Sequence, residues 1–233
     1  MNAAQLFLPG WGFGPGPLTA ALTGSGWQVL DLPGNSDGDP VPATFLAARD
    51  ALLARLPACS HLGGWSLGGM LALACAQAAP ERILSLTLVG SSPSFLNREG
   101  WELGRPPTEL QAFQARIRRQ GAALLPRFAQ GFCQGDASPQ AVEALLAQAT
   151  PVPQAALEAG LAWLAEADLR AGLASLTCPV TLIHGENDPL MPAAAARWLA
   201  EQLPRAELRL LPGKAHAPFS PDPTPFCSGL PRP

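Results

Sequence analysis

The pentapeptide Gly64-Trp65-Ser66-Leu67-Gly68 sets a serine between two glycines, where a short apolar run gives way to a helix-like one. A hydroxyl on so sharp a strand-to-helix turn is held above its surroundings, and glycine on either side lets neighbouring backbone pass. The chemistry such a residue could do is nucleophilic acyl transfer, but a serine hydroxyl needs a base to take its proton. The chain has three histidines. His61 opens the run that leads to Ser66 and His184 ends another, both places for a hydrogen-bonded strand-end histidine. His216, in "GKAHAPF", follows the last strand-like segment and is the candidate base. An acid must orient the imidazole and stabilise imidazolium. Asp188, in the loop "HGENDPLMP", is the candidate, with Glu186 its neighbouring alternative; Asp31, Asp37 and Asp39 precede the serine and read as acids of a solvated turn. The oxyanion that forms on attack needs two backbone amides, each worth roughly 3 kcal/mol. Leu67, directly after the serine, and Trp11, in the glycine-rich "PGWGFG", are the candidates.

These residues must be brought together by the elements around them. "LFLP", "WQVLDLPG", "HLGGWS" and "ILSLTLVGSS" read as strands, and "TFLAARDALLARL" (44–56) and "LGGMLALACAQAA" (67–79) as the helices between them. Near-continuous apolar strands alternating with helices predict a parallel sheet covered on both faces. From about residue 95 to 172 the strand signal stops, and "TELQAFQARIRRQG", "PQAVEALLAQA" and "PQAALEAGLAWLAEA" read as helices. Strands return at "PVTLIHG" and "AELRLLPG", with the helix "AAAARWLAEQL" between them. The expected fold class is α/β: a doubly wound, mostly parallel sheet formed by residues 1–94 and 173–233, with a helical cap inserted at 95–172. The Pro-rich end "FSPDPTPFCSGLPRP" is expected to be poorly structured.

Composition narrows the partners. A net charge of −3 with 14% charged residues gives no basic footprint for nucleic acid. No run approaches the ~20 apolar residues of a membrane span, and no basic, apolar leader opens the chain, so a cytoplasmic protein without membrane association is expected. The five cysteines show no C-x-x-C pairing and are expected to be reduced and mostly buried.

With these pieces placed, the chain resembles the α/β-hydrolase superfamily and, more narrowly, the pimeloyl-[acyl-carrier-protein] methyl ester esterases of biotin synthesis. "PGWG", "DLPG", "GWSLGG", "LVGSSPSF", "DLRAGLASLTCPVTLIHGENDPLMP" and "KAHAPF" carry the narrower resemblance. It implies Ser66 as nucleophile, Asp188 as orienting acid, His216 as general base and acid, and Trp11 and Leu67 at the acyl carbonyl. It also implies that Phe128 and Phe132, in "RFAQGF", contact the acyl chain, although a polar residue is expected near the second position. The implied substrate rides on an acidic carrier protein. Residues 111–135 hold four arginines (Arg116, Arg118, Arg119 and Arg127) and no acid, a local excess suited to steering such a partner. Three departures stand out: Pro9 replaces a histidine before the oxyanion-loop glycine, the family's first strands are expected to be missing, and the Pro-rich tail replaces a terminal helix.

The expected reaction is hydrolysis of a methyl ester through an acyl-serine, by a monomer with no metal or organic cofactor. Two other readings remain open on the sequence: a short-chain carboxylesterase acting on free esters, and a noncatalytic binding protein on the same fold.

Overall fold

A computed structural model describes residues 3–36 and 38–230; residues 1–2, Asp37 and residues 231–233 lie outside them. The first half builds β1 (Ala4–Leu8), α1 (Gly16–Ala21), β2 (Gln28–Val29), α2 (Phe45–Arg55), β3 (Ser60–Trp65), α3 (Leu67–Ala78) and β4 (Ile83–Val89). Four helices follow without a strand among them: α4 (Pro107–Gln120), α5 (Leu125–Phe132), α6 (Ala141–Gln148) and α7 (Gln154–Glu166). The chain then returns through β5 (Val180–Gly185), α8 (Ala193–Gln202), β6 (Ala206–Leu211) and α9 (Thr224–Ser228).

All six strands run parallel in the order β2-β1-β3-β4-β5-β6. The register aligns their carboxyl ends: Leu8 faces Gly64, Trp65 faces Val89, Val89 faces Ile183, and Gly185 faces Leu211. The loops after β1, β3, β5 and β6 therefore share one edge of the sheet, where ligands of such sheets bind.

The alternation of strand side chains divides the core. Leu8, Leu62, Leu86, Leu88 and Leu182 join residues of α2, α3, α7 and α8 on one face. Phe7, Trp65, Val89 and Ile183 join residues of α1, α5, α6 and α9 on the other. Thr44 starts α2 by accepting the amide of Ala47 (3.1 Å). The β4–β5 insertion is tied to that helix. Glu166 at the end of α7 accepts the Phe45 amide (2.7 Å), and the Trp163 indole donates to the Pro42 carbonyl (3.1 Å).

Several sequence expectations need correction. The strand expected across "WQVLDLPG" is two residues long, because Asp31 instead accepts the Leu32 and Asn35 N–H groups and turns the chain. The short helix α1 is hidden in the sequence behind its Pro and Gly residues, as is α5 behind Pro126 and Gly131. All five cysteines are free thiols, but only Cys75 and Cys133 are buried; Cys178 and Cys227 are half-buried and Cys59 is exposed. Among its described residues the tail is not unstructured: Pro225 stands in the first turn of α9, where its missing N–H costs nothing.

The fully buried Phe226 of α9 is what ties this tail to the core, since its ring meets Phe7 at 5.9 Å and Phe219 at 5.7 Å. Phe226→Ala should therefore lower the unfolding free energy by about 3–5 kcal/mol, as cavity-forming aromatic truncations do. Urea unfolding checks this, and a loss below about 1 kcal/mol would mean that the tail does not seal the sheet.

Candidate active site

Ser66 has φ 55° and ψ −121°, the one positive-φ residue other than glycine among the described residues. Such a conformation costs of order 1–3 kcal/mol and persists only where its surroundings over-determine it. Here they do. The Ser66 amide donates to Val89 O (2.9 Å), its carbonyl accepts from the Met70 amide (3.1 Å) inside α3, and the Ser91 hydroxyl also donates to that carbonyl (3.0 Å). A Cβ on Gly64 would collide with the Gly68 carbonyl group, and one on Gly68 with the carbonyl oxygens of Leu8 and Pro9. The glycines thus let β1, β3 and α3 close around the serine, and Pro9 takes part through its carbonyl.

His216 Nε2 lies 3.0 Å from Ser66 Oγ, and His216 Nδ1 lies 2.7 Å from Asp188 Oδ2. An ionised carboxylate can only accept, so Nδ1 carries the proton and Nε2 is left to accept from the serine hydroxyl. All three residues are buried. Asp188 Oδ1 accepts the amides of Leu190 (2.8 Å) and Met191 (2.9 Å). Burial opposes ionisation of Asp188, but the charge and hydrogen bonds of His216 and His184 outweigh it and hold the carboxyl well below the usual carboxylate range.

The alternatives fall away from this cluster. Glu186 is exposed. Asp31 lies in the turn after β2, and Asp39 is exposed; Asp37 is outside the described residues. His61 bonds Ser85 Oγ (2.8 Å) on the neighbouring strand. His184 is a strand-end histidine as expected, yet its Nε2 also reaches Asp188 Oδ2 (3.3 Å) while donating to Met191 O (2.7 Å). The sequence reading missed that second role, and missed Trp65 too, whose indole donates to the His216 carbonyl (2.8 Å). The signal in the chain was the histidine four residues before Asp188 and the tryptophan inside the serine motif itself.

Ser66 and His216 line a narrow cavity of about 30 Å³ whose other walls are apolar. Trp11 is among them, its indole donating to Leu157 O (2.8 Å) and its ring meeting Phe128 at 5.3 Å. Phe128 and Phe132 both line it, and Phe132 meets the His216 imidazole edge-on at 5.4 Å. Leu67 follows Ser66 as the first residue of α3, at a helix end that favours developing negative charge. Phe113, Phe128, Phe132 and Leu190 also wall an outer groove flanked by Arg105, Arg116 and Arg127. Arg118 and Arg119 are exposed and do not line it. Arg105, outside the basic stretch recognised in the sequence, bonds Pro189 O (3.3 Å) and pairs with Glu109.

A parallel sheet with a strained serine at a strand-to-helix turn and a histidine and aspartate on later loops is the α/β-hydrolase arrangement. The chain belongs to the alpha/beta hydrolase family, whose model matches residues 5–228. It is 39% identical to the pimeloyl-[acyl-carrier protein] methyl ester esterase of Aromatoleum aromaticum, over 94% of this chain and 93% of that one. It is also 39% identical to the protein of the same name from Nitrosomonas europaea, over 85% of this chain and 81% of that one. Among solved structures, a thermophilic esterase from Thermogutta terrifontis superposes with a TM-score of 0.82 at 21% identity, covering 98% of this chain and 88% of that one. Among the described residues no helix is long and apolar enough to cross a membrane.

Because the folded state holds Asp188 below the ordinary value near 3.9, its ionisation stabilises the fold above that pH. That stability is lost as pH falls through the lower, folded value. In urea unfolding, the advantage of the native chain over Asp188→Asn should therefore shrink between pH 5 and pH 3. A gap that widens on acidification would reverse the assigned shift.

Proposed function

We propose that this chain is a serine esterase that hydrolyses the methyl ester of a pimeloyl group carried on acyl carrier protein, in biotin biosynthesis. The observation that carries the chemistry is the Ser66–His216–Asp188 hydrogen-bond chain, at 3.0 and 2.7 Å, on the floor of an apolar cavity. The substrate assignment is supported by the two relatives that carry this name at 39% identity.

In this reading His216 Nε2 takes the Ser66 proton as Oγ attacks the ester carbonyl. The amides of Trp11 and Leu67 receive the oxyanion, and Asp188 stabilises the imidazolium. His216 then protonates departing methanol, and water deprotonated by the same imidazole releases the pimeloyl carboxylate. Phe128 and Phe132 pack against the methylene chain. No residue of the cycle calls for a metal or organic cofactor.

Residues 95–172 act as a cap on the core formed by 1–94 and 173–233. The thioester-linked arm leaves through the outer groove, and Arg116 and Arg127 on its rim, with Arg118 and Arg119 beyond, draw in the acidic carrier. Arg105 stands at the same rim, paired with Glu109. The enzyme works as a monomer in the cytoplasm, without nucleic acid or membrane.

The decisive measurement is kcat/KM for the carrier-linked methyl ester against a small free ester, with Ser66→Ala as the blank. The proposal expects strong preference for the carrier-linked ester and turnover reduced to background in the blank. Charge reversal at Arg116 and Arg127 should cut carrier-linked kcat/KM by roughly tenfold or more while leaving the free ester within about twofold. Equal use of both esters would mark a general carboxylesterase, and a folded chain inert to both esters and to a fluorophosphonate would mark a binding protein.

A further inference from the structure

The linker between α5 and α6 crosses both loops that carry the histidine and the aspartate. Asn187 Nδ2 donates to Gly135 O (2.8 Å), the Ala137 amide to Gly213 O (2.7 Å), and the His216 amide to Phe132 O (3.3 Å). At its centre is Asp136, whose side chain is only 2% exposed. One carboxylate oxygen accepts the Ser138 amide (2.8 Å), and the other accepts the amide of Ala215 (3.2 Å), the residue directly before His216. The ammonium of Lys214, itself nearly buried, stands 3.9 Å from Asp136 and donates to Ser220 O (3.0 Å). Ser220 in turn donates its hydroxyl to Ala141 O (2.8 Å) at the start of α6.

A buried carboxylate is costly unless it is paired and hydrogen-bonded. Among the described residues, the partners of the Asp136 carboxylate belong either to its own linker or to the two residues that lead into His216. The distance from His216 Nε2 to Ser66 Oγ depends on where that loop sits, and loss of an ångström at such a contact slows acyl transfer far more than it weakens binding. Trp65 also holds the loop, through the His216 carbonyl.

We infer that Asp136, with Lys214, is a positioning pair: from the inserted helices it sets the loop that aims His216 at Ser66. The inference rests on the reading of Ser66 and His216 as nucleophile and base. Asp136 acts through the Ala215 amide and touches no reacting atom. The carboxylate does this by accepting with both oxygens, so an asparagine, which keeps one acceptor oxygen and sets an NH2 group against the other amide, preserves only part of the effect.

Asp136→Ala, Asp136→Asn and Lys214→Met are compared with the native chain in steady-state hydrolysis of a small ester and in the rate of Ser66 labelling by a fluorophosphonate. The folded fraction of each is fixed beforehand by near-ultraviolet circular dichroism. Expected for Asp136→Ala is a fall in kcat of about tenfold or more, with KM within about twofold and labelling slowed in parallel. Asp136→Asn and Lys214→Met should each fall between Asp136→Ala and the native chain. Asp136→Ala that labels at the native rate per folded molecule would overturn the inference, including where total activity falls only because less protein folds. A native chain that is not labelled at all would instead overturn the underlying assignment of Ser66, so the two failures are distinguishable.

Discussion

The structure depends on one backbone constraint, the positive-φ conformation of Ser66 between β3 and α3. A non-glycine residue held there stores strain, and the fold holds it by crowding. Gly64 and Gly68 have no room for a Cβ because β1 and the first turn of α3 press against them. The hydrogen bond from the Ser66 amide to Val89 then fixes the turn to β4. That crowding puts a hydroxyl, a helix N-terminus and the β1–α1 loop at a single point on the edge of the sheet, which is the geometry acyl transfer needs.

The parallel register supplies the rest from a distance. Since the carboxyl ends of β5 and β6 lie level with that of β3, the loops holding Asp188 and His216 reach the same edge without long excursions. Their order is then secured by buried polar contacts. Asp188 gathers two backbone amides and two imidazoles, while Trp65 holds the His216 loop at its carbonyl and Asp136 holds it at the Ala215 amide. The apolar walls above these groups lower the local dielectric, which strengthens each of those contacts. Beyond the chamber the lining changes from aromatic to cationic. A methylene chain with a charged carrier at its far end would meet these two environments in that order.

Some of this was legible from residue order. The serine motif, the strand-helix alternation and the single loop histidine after the last strand are local signals, and their chain order left few arrangements open. The arginines were visible as a composition bias, but not which of them face the groove. Helix α4 turns Arg116 toward it and leaves Arg118 and Arg119 pointing to solvent. The short helices α1, α5 and α9 were illegible because Pro or Gly stands inside each (Pro17, Pro126 and Gly131, Pro225), which reads as a turn or a helix stop. Packing, through residues such as Phe226, makes α9 a helix where its prolines read as an unstructured tail.

The sequence alone therefore determined the fold class, the insertion of helices between β4 and β5, and the residue types able to form a nucleophile, base and acid. Those features rest on short-range patterning, which each segment carries by itself. Tertiary structure decided which acid meets His216, and that His184 and Trp65 support the site. It decided too that Arg105 joins the groove and that a buried carboxylate from the inserted helices reaches the histidine loop. Most of these contacts join residues tens to more than a hundred positions apart, fixed by strand register and burial; no spacing along the chain encodes them.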